Sequence, residues 1–448
     1  MQSANLGNAF AKLGSPEFQR LVPHMPFAIR RPIVTWPNPY PASSCRQQGL
    51  DVIVLERAVQ ILPVGAGIVV PPNAGRAMEQ ICLLQKLRSQ SIVVETQDFR
   101  RYDDGSLISR RHVGSQQEIE TYGGEWLVVH RADYHRVLHD AATAAGVEVR
   151  LGASVKDIDL VNTTVTLDGG ETLIADVIIG ADGLWSTTRD KILGHPSPPF
   201  ETGDLAYRAT FPASQLRALG DPDLNALLDS RGTNAWWGPD KHCVLYPVRG
   251  GSVYNLVLLR PDDLPARTDK ALGDLHEMAE TFKGWDSSCI PHVLKWKLCH
   301  HEELETWCQN NTAIIGDACH PTLPYQAQGA AMAVEDGVVV AYLIGQLVHD
   351  FSPAMARAKV PSILKLYERM RKPRTTLNVQ GAVANRKMNH LHDGAEQQQR
   401  DKDLNGADYL SSNPWKCADG PYQKQLLAFD TMRVCREEYD AWKRAQDA

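Results

Sequence analysis

The chain has 448 residues, of which 43% are hydrophobic and 22% charged, a composition typical of a globular protein with a sizeable core and two or three domains. A formal net charge of −6 without a basic run argues against a nucleic-acid partner, and an apolar run at 338–348 is too short for a membrane span. Nine cysteines without a C-x-x-C pair, and no visible secretory signal, favour a reducing, cytoplasmic compartment and predict no metal site.

The first part of the chain begins with a proline-rich stretch, 1–44, that we expect to be irregular because dense prolines block helices and sheet ladders. The elements after it alternate between strand and helix. They are predicted, in chain order, as a strand at 51–56, helices at 73–87 and 133–145, and strands at 147–151, 162–167 and 175–180. The first of these strands ends in Glu56, and the last is followed by a turn at Asp182 and Gly183.

The middle of the chain, 200–300, has a different character. Strands are predicted at 205–211, 242–248 and 252–259, and several tryptophans fall among them. This grouping is typical either of a sheet that covers a flat apolar ligand or simply of a sheet core. After it, 312–317 returns to the buried-strand pattern, a helix of small residues follows at 328–348, and the tail is helical and polar. The order predicts an α/β nucleotide-binding fold interrupted by a β-rich substrate domain, with a helical C-terminal tail.

The most informative motif is the segment G-D-A-C-H-P at 316–321, which continues to Q-G-A-A at 328–331. An apolar strand delivers Asp317 at its carboxyl end, where parallel sheets bind ligands. Gly329 and Ala330 then open a helix without bulky side chains, so its free N–H groups and positive dipole end can face an anion. The alternative is an ordinary loop–helix junction of an α/β protein.

These residues resemble the second FAD motif of the single-component FAD-dependent aromatic hydroxylases, the p-hydroxybenzoate hydroxylase class. Within that class the motif is most similar in sequence to the salicylate hydroxylase-like branch. The segment V-I-I-G-A-D-G-L-W-S at 177–186 is similar to a second motif of that family. The resemblance implies that Asp317 contacts the ribityl chain of FAD and that Gly329 and Ala330 lie against the flavin ring. It also implies that Asp182 helps to bind FAD and the nicotinamide cosubstrate.

Other residues match the family one at a time. The resemblance implies that Arg131 contacts FAD, that Glu56 holds the adenosine ribose, and that Gly67 or its neighbour touches the cofactor. It implies that Arg208 is an active-site arginine over the flavin and, more weakly, that Tyr246 is catalytic. Structural alternatives stay open: a helix-start arginine, a strand-end acid, a sheet salt bridge for Arg208 and a core tyrosine for Tyr246.

The sequence departs from the family at its N-terminus. Relatives have a strand, a G-x-G-x-x-G loop and a helix ahead of the acid that Glu56 matches, but this chain has no glycine between Gly14 and Gly49. Gly65-Ala66-Gly67 follows that acid and cannot replace the loop. The segment 285–296 also looks shorter than in relatives. A misassigned exon and a genuinely eroded gene both explain these losses.

The predicted domains are an irregular, non-family 1–44, an FAD-binding domain in two parts at 45–195 and 301–375, a substrate domain at 196–300, and a C-terminal helical region at 376–448. The resemblance implies a monooxygenase in which NAD(P)H reduces FAD and O2 forms a flavin C4a-hydroperoxide that hydroxylates a small aromatic or enol-type substrate. One alternative is a family member without flavin activity that at most binds a small ligand. Another is a flavin enzyme that reduces its substrate.

Overall fold

The computed structural model describes residues 32–35, 44–46, 48–60, 66–265, 270–272, 275–281 and 294–447. In chain order the described strands are β1 (Pro32–Thr35), β2 (Ile53–Glu56), β3 (Gly67–Val70), β4 (Ile92–Val93), β5 (Thr96–Arg101), β6 (Leu107–Arg111), β7 (Leu127–His130), β8 (Glu148–Leu151), β9 (Val155–Asp159), β10 (Thr164–Leu167), β11 (Thr172–Ile174), β12 (Val177–Gly180), β13 (Phe200–Pro212), β14 (Gly232–Gly238), β15 (Lys241–Val248), β16 (Val253–Pro261), β17 (Lys270–Leu272), β18 (Leu294–His300), β19 (Cys308–Gln309) and β20 (Thr312–Ile314).

The described helices are α1 (Pro72–Glu79), α2 (Leu84–Arg88), α3 (Gln116–Tyr122), α4 (Arg131–Ala144), α5 (Thr187–Leu193), α6 (Ala213–Arg217), α7 (Pro222–Asp229), α8 (Leu275–Thr281), α9 (Gly329–Asp350), α10 (Pro353–Asn389), α11 (Ala395–Leu404), α12 (Gly420–Leu427) and α13 (Thr431–Asp447). The helix expected at 73–87 is interrupted. Cys82 adopts a left-handed backbone with φ of 59°, which separates α1 from α2.

A six-stranded sheet has the strand order β19-β20-β12-β1-β2-β8 and is parallel except for the short β19. The expectation that 1–44 is irregular is wrong for Pro32–Thr35, which form β1 in the middle of this sheet. The reason is local, because a proline is tolerated as the first residue of a strand and the Ile-Val-Thr that follows favours extended backbone. The rest of 1–43 lies outside the described residues.

The largest core cluster lies between this sheet and the helices α9 and α10. Buried strand residues such as Val54 and Ile179 pack with Val339 and Ile344 of α9. By length and composition, with a mean hydropathy of 1.5, α9 could cross a membrane, but most of its apolar window is buried inside the protein, as in a core helix. It extends beyond the apolar run at 338–348 in both directions.

The second large sheet has the order β17-β18-β13-β16-β15-β14-β5-β6 and is antiparallel except where β14 meets β5. Its longest strand, β13, is buried continuously over residues 204–207 and then alternates between buried and accessible residues up to Pro212. Two of its strands, β5 and β6, come from the segment 45–195, so this sheet is built from two separate parts of the chain. The expected shortening at 285–296 falls mainly on residues outside those described.

The C-terminal helices wrap around both sheets. Helix α10 has 37 residues, with Pro361 and Pro373 inside it, and runs through the boundary that the sequence suggested at 375/376. Its first half packs in the core of the six-stranded sheet, and its end reaches Met388 beside Trp237 of the large sheet. The helix therefore connects the two cores, and a cavity lies between the sheets along its path.

Candidate active site

The cavity, of about 500 Å³, lies between the large sheet, the strand β3 with the start of α4, and the loop that precedes α9. Every residue predicted for the site except Glu56 and Asp182 lines it: Gly67, Arg131, Arg208, Tyr246, Asp317, Gly329 and Ala330. These residues come from five different elements and from the turn after β20, at positions far apart in the chain. The fold therefore brings one group of sequence-predicted residues to a single place.

Asp317 lies in the tight turn that follows β20. Gly316 before it has φ of +60°, and its N–H donates to Asp336 Oδ2 at 2.9 Å, which fixes the direction of the turn. The Asp317 side chain is accessible through the cavity, yet dense protein around it raises the pKa of its carboxyl, while nearby His320 and Arg131 lower it in part. An acceptor in this position suits a sugar or ribityl hydroxyl.

The N-terminus of α9 forms the neighbouring wall of the cavity. Ala327 has a left-handed backbone with φ of 56°, and α9 begins two residues later at Gly329. A Cβ at Gly329 would lie 3.3 Å from Thr322 Cγ2, so the small residue keeps the loop close to the helix start. The helix has 22 residues, and the free N–H groups of its first turn lie in this wall. A helix N-terminus of this kind favours a bound anion.

Arg208 lies on β13 in the wall formed by the large sheet. Its guanidinium carbon is 5.5 Å from the ring centroid of Trp296, and its buried Nε has no hydrogen-bond partner among the described residues. Burial lowers its pKa, and nearby Arg131 lowers it further. Among the described residues this arginine makes no salt bridge, and a cation held this way suits an anionic ligand group.

Tyr246, on β15, packs directly beneath Gly67 of β3. A side chain at Gly67 would overlap the Tyr246 ring and hydroxyl, and the Gly67 N–H donates to Asn255 Oδ1 at 2.8 Å. Burial raises the pKa of the Tyr246 hydroxyl, and Arg208 opposes that effect. The glycine is thus required by close packing against this tyrosine, a reason that the local sequence does not reveal.

Glu56 lies at the carboxyl end of β2, outside the cavity lining. Its side chain is 7% exposed and Oε1 accepts the Ala58 N–H at 2.6 Å, while burial raises the pKa of the carboxyl. The strand next to it is β1, whose Thr35 pairs with Leu55. Glu56 therefore has a carboxylate held at the strand ends of the parallel sheet, where nucleotides bind.

Asp182 also lies outside the cavity lining, just after β12. Its carboxylate accepts from Ser186 Oγ at 2.6 Å, from Thr188 Oγ1 at 3.0 Å and from Thr188 N at 3.0 Å. These bonds cap the start of α5. In this structure the Asp182 side chain fixes the loop between β12 and α5, and the backbone of that loop lies at the edge of the sheet.

A buried polar network supports the α9 loop and was not predicted from the sequence. Asn73 of α1 donates to Gln328 Oε1 at 3.1 Å and to Glu335 Oε1 at 2.9 Å. Glu335 is paired with Arg371 and Arg374 of α10, and both arginines approach it to 2.7 Å. These cations lower the pKa of Glu335. Two adjacent acids in an apolar helix, Glu335 and Asp336, are the sequence signal that could have found it.

Cys319, His320 and Asp336 lie close enough together to bind a metal ion. Most of their polar atoms are, however, already engaged: His320 Nε2 is 2.5 Å from Asp336 Oδ2, and Arg371 Nε donates to Asp336 Oδ1 at 2.7 Å. The Cys319 thiol donates to the Gly316 carbonyl at 3.3 Å, and burial holds its pKa well above the usual value. The arrangement has the character of a hydrogen-bond network around the Gly316 turn.

The far end of the cavity was also missed by sequence reasoning. Arg111 of β6 lines it and is neutralised by Glu118 in a two-point ion pair, with N···O distances of 2.9 and 3.0 Å. The Tyr122, Trp126 and Tyr409 rings surround this guanidinium. The C-terminal helical region completes the lining with Met388, Cys417, Gln423 and Leu426. Unlike Arg111, Arg208 has no carboxylate partner within the part of the chain that the structure describes.

The sequence matches a family model described as an FAD binding domain over residues 42–382. An FAD-dependent monooxygenase of Beauveria bassiana is 38% identical over 410 residues, which cover 88% of this chain and 92% of the relative. A 3-hydroxybenzoate 6-hydroxylase of Aquipseudomonas alcaligenes is 33% identical over 346 residues, which cover 73% of this chain and 81% of the relative.

The fold is similar to that of solved proteins. A substrate complex of salicylate hydroxylase superposes with a TM-score of 0.74 at 21% identity, covering 92% of this chain and 98% of that one. A structure of Klebsiella pneumoniae HpxO with FAD and uric acid superposes with a TM-score of 0.67 at 21% identity, covering 92% and 96%. The interrupted α/β architecture predicted from the sequence is therefore confirmed.

Proposed function

We propose, from the premise that this chain belongs to the family of FAD-dependent monooxygenases, that it uses NAD(P)H and O2 to hydroxylate a small aromatic or enol-type molecule. The cofactor of the family is FAD. One observation supports the choice of substrate class, namely that Arg208 lines the cavity and has no carboxylate partner among the described residues. The hydroxybenzoate named for one relative has the kind of anion that such a cation would bind.

The residues at the flavin end of the cavity fit FAD. Asp317 offers a carboxylate at the end of β20, and the α9 terminus offers N–H groups where Gly329 and Ala330 leave room for a flat ring. Gly67 cannot carry a side chain because the Tyr246 ring packs against it, and the glycine leaves further room beside Arg131. We propose that Glu56 holds the adenosine ribose and that the loop shaped by Asp182 contacts the cofactor.

The pyrophosphate end fits less well. The strand β1 is in place, but no glycine follows it before Gly49, and prolines stand at 37, 39 and 41. The usual backbone N–H groups for the pyrophosphate are therefore missing from the sequence after β1. We infer that FAD is held mainly by contacts at its flavin, ribityl and ribose groups, and that affinity is reduced.

When bound, FAD supplies reduction by NAD(P)H and activation of O2. The chain's own contribution is to bind and orient the substrate, with Arg208 holding a phenolate or carboxylate. Trp237 and Phe99 stack at 4.6 Å in the lining and keep the substrate end apolar. We propose that Tyr246 positions Arg208, because the tyrosine lies beside it and is buried.

We propose the domains that the sequence suggested, namely cofactor parts at 45–195 and 301–375, a substrate part at 196–300 and a helical tail. We add that β5, β6 and the tail also contribute residues to the lining of the substrate cavity. We also propose a cytoplasmic location.

The test is substrate-dependent oxidation of NAD(P)H by FAD-loaded protein, with the hydroxylated product and peroxide measured separately. For phenols and aromatic acids we expect product from the wild type. Arg208→Ala should keep FAD, lose product and release peroxide. The matched control is Arg217→Ala, an exposed arginine paired with Asp229 on the outer surface of the same region. Equal product yield from Arg208→Ala and Arg217→Ala would refute the substrate assignment.

A further inference from the structure

The loop that leads into α9 is held by the C-terminal helices. A short turn, Pro324–Gln326, precedes α9 and lines the cavity. The Gln326 side chain donates from Nε2 to the Asn378 carbonyl of α10 at 2.7 Å, and its Oε1 accepts the Tyr422 hydroxyl of α12 at 2.8 Å. Because the amide uses its donor on one partner and its acceptor on the other, these two contacts fix the orientation of the side chain.

A glycine inside α10 makes this arrangement possible. Gly381 lies in the interior of the helix, where glycine is less stable than alanine. A Cβ at this position would overlap the Tyr422 hydroxyl and would lie 2.6 Å from Gln326 Nε2. The missing side chain therefore leaves the space in which Tyr422 reaches Gln326.

Tyr422 is itself held in place. It lies on α12, and the Gly420 N–H at the start of that helix donates to the Ser411 carbonyl at 2.8 Å. A Cβ at Gly420 would overlap the Leu410 backbone, so α12 packs closely on the chain that precedes it. The Tyr422 side chain is buried, and burial raises the pKa of its hydroxyl, so the group stays protonated and donates at neutral pH.

The segment between Gln326 and α9 is short and is held at both ends. Ala327 has the left-handed backbone, and Gln328 beyond it accepts from Asn73 of α1. Helix α9 follows directly. Since the glutamines on both sides of Ala327 are fixed, the position of this loop decides where the free N–H groups of the helix start lie. One of the two anchors comes from the C-terminal region and the other from α1.

We propose that Tyr422 and Gln326 are positioning residues for the cofactor, which hold the start of α9 where its N–H groups stabilise the negative charge of a reduced flavin. This rests on the proposed function, because that function places the flavin at Gly329 and Ala330. It gives the C-terminal helical region a part in holding FAD, in addition to its place in the cavity lining. The pair acts through the loop, so its loss should change the electronic environment of bound FAD and not only the stability of the fold.

The test variant is Tyr422→Phe, which keeps the ring and loses the hydroxyl. In titrations of apoprotein followed by flavin fluorescence, we expect the Kd for FAD to rise about 3- to 10-fold, the effect of losing one hydrogen bond. The reduction potential of bound FAD, measured by equilibration with a reference dye, should become more negative, because displaced N–H groups stabilise the reduced anion less. Gln326→Leu, which changes the partner in the loop, should give the same two changes.

The matched control is Tyr439→Phe. Tyr439 is a buried tyrosine on α13 of the same C-terminal region, and its hydroxyl donates to Asp350 Oδ2 at 2.9 Å, outside the cavity lining. Its loss should lower the melting temperature and leave the Kd and the reduction potential of FAD unchanged. A Tyr422→Phe, Gln326→Leu double variant should be no worse than Gln326→Leu alone, because Tyr422 acts only through Gln326.

Unchanged Kd and reduction potential in Tyr422→Phe would overturn the proposal, as would equal shifts in Tyr439→Phe or additive effects in the double variant. If Tyr422→Phe does not fold, Gln326→Leu provides the same test. A wild type that binds FAD but hydroxylates no aromatic compound would overturn the proposed function, while the Kd and the reduction potential would still decide the role of the pair.

Discussion

Replacing Arg208 by methionine should make the protein more stable and less active. The guanidinium is held in the wall of the large sheet, and its buried Nε has no hydrogen-bond partner among the residues that the structure describes. Leaving a buried donor unsatisfied costs about 1–3 kcal/mol. The contact with the Trp296 ring at 5.5 Å returns roughly 0.5–1 kcal/mol of that cost. Methionine keeps the apolar contacts of the stem, so we expect a net gain of about 1 kcal/mol in the free energy of unfolding.

For a chain of this size that gain corresponds to about 1–2 °C in the melting temperature, measured by differential scanning fluorimetry on matched FAD-loaded samples. Activity should move in the opposite direction. Loss of one charge-assisted contact of about 1.5–3 kcal/mol predicts a roughly 10- to 100-fold lower kcat/KM with an aromatic acid.

The decisive comparison is between the melting temperatures of the wild type and the variant with and without a bound ligand. Salicylate should raise the melting temperature of the wild type and hardly change that of Arg208→Met, because a ligand stabilises only the protein that binds it. Arg208→Lys, which keeps the charge, should fall between the two. A lower melting temperature for Arg208→Met without ligand, or equal stabilisation of both proteins by salicylate, would contradict the idea that this arginine waits for an anion.

Three further outcomes are expected. Asp317→Ala should lose FAD during gel filtration, and retention of FAD at wild-type affinity would show that the cofactor site is placed wrongly. Replacing residues 36–48 with a relative's glycine loop and helix should tighten FAD binding by about 10³–10⁶-fold, since about three hydrogen bonds of 1.5–3 kcal/mol each are regained, and an unchanged affinity in fluorescence titration would indicate that other contacts have also failed. The free energy of unfolding of the wild type, from urea titrations at several pH values, should fall as the pH drops below the unfolded histidine pKa of about 6.5 and continue to fall toward pH 4. The reason is that burial keeps His242 and His390 neutral in the folded protein, so the unfolded chain binds more protons over this range. A His242→Gln, His390→Gln double variant should lose that part of the pH dependence.

Three strands of the parallel sheet could be predicted because they are short apolar runs that end near an acid, namely Glu56, Asp182 or Asp317. The exception was β1. The prolines around it led to a prediction of irregular structure, although Ile33, Val34 and Thr35 favour extended backbone. Proline excludes a central strand only where its missing N–H is needed, and Pro32 stands at the strand start. A proline count over the whole segment could not distinguish these positions.

The site divides in the same way between local and distant causes. Asp317, Gly329 and Ala330 were found because one continuous motif contains them. His390, Asn73 and the pairing of Glu335 with α10 were not, because each depends on partners from distant parts of the chain. Asp182 is the instructive middle case. Its side chain caps α5 through Ser186 and Thr188, a use that was not predicted from the sequence.

The strand order of the six-stranded sheet has a consequence for synthesis on the ribosome. Strand β1 pairs with β2 soon after both emerge, but its other neighbour, β12, is translated much later, and β12 in turn waits for β20. Until then the growing chain exposes an unpaired apolar edge, and helix α9, which covers the sheet, comes later still. Such long-range parallel pairing favours slow folding and leaves apolar surface exposed in the nascent chain, so expression at low temperature with co-produced chaperones should raise the soluble yield.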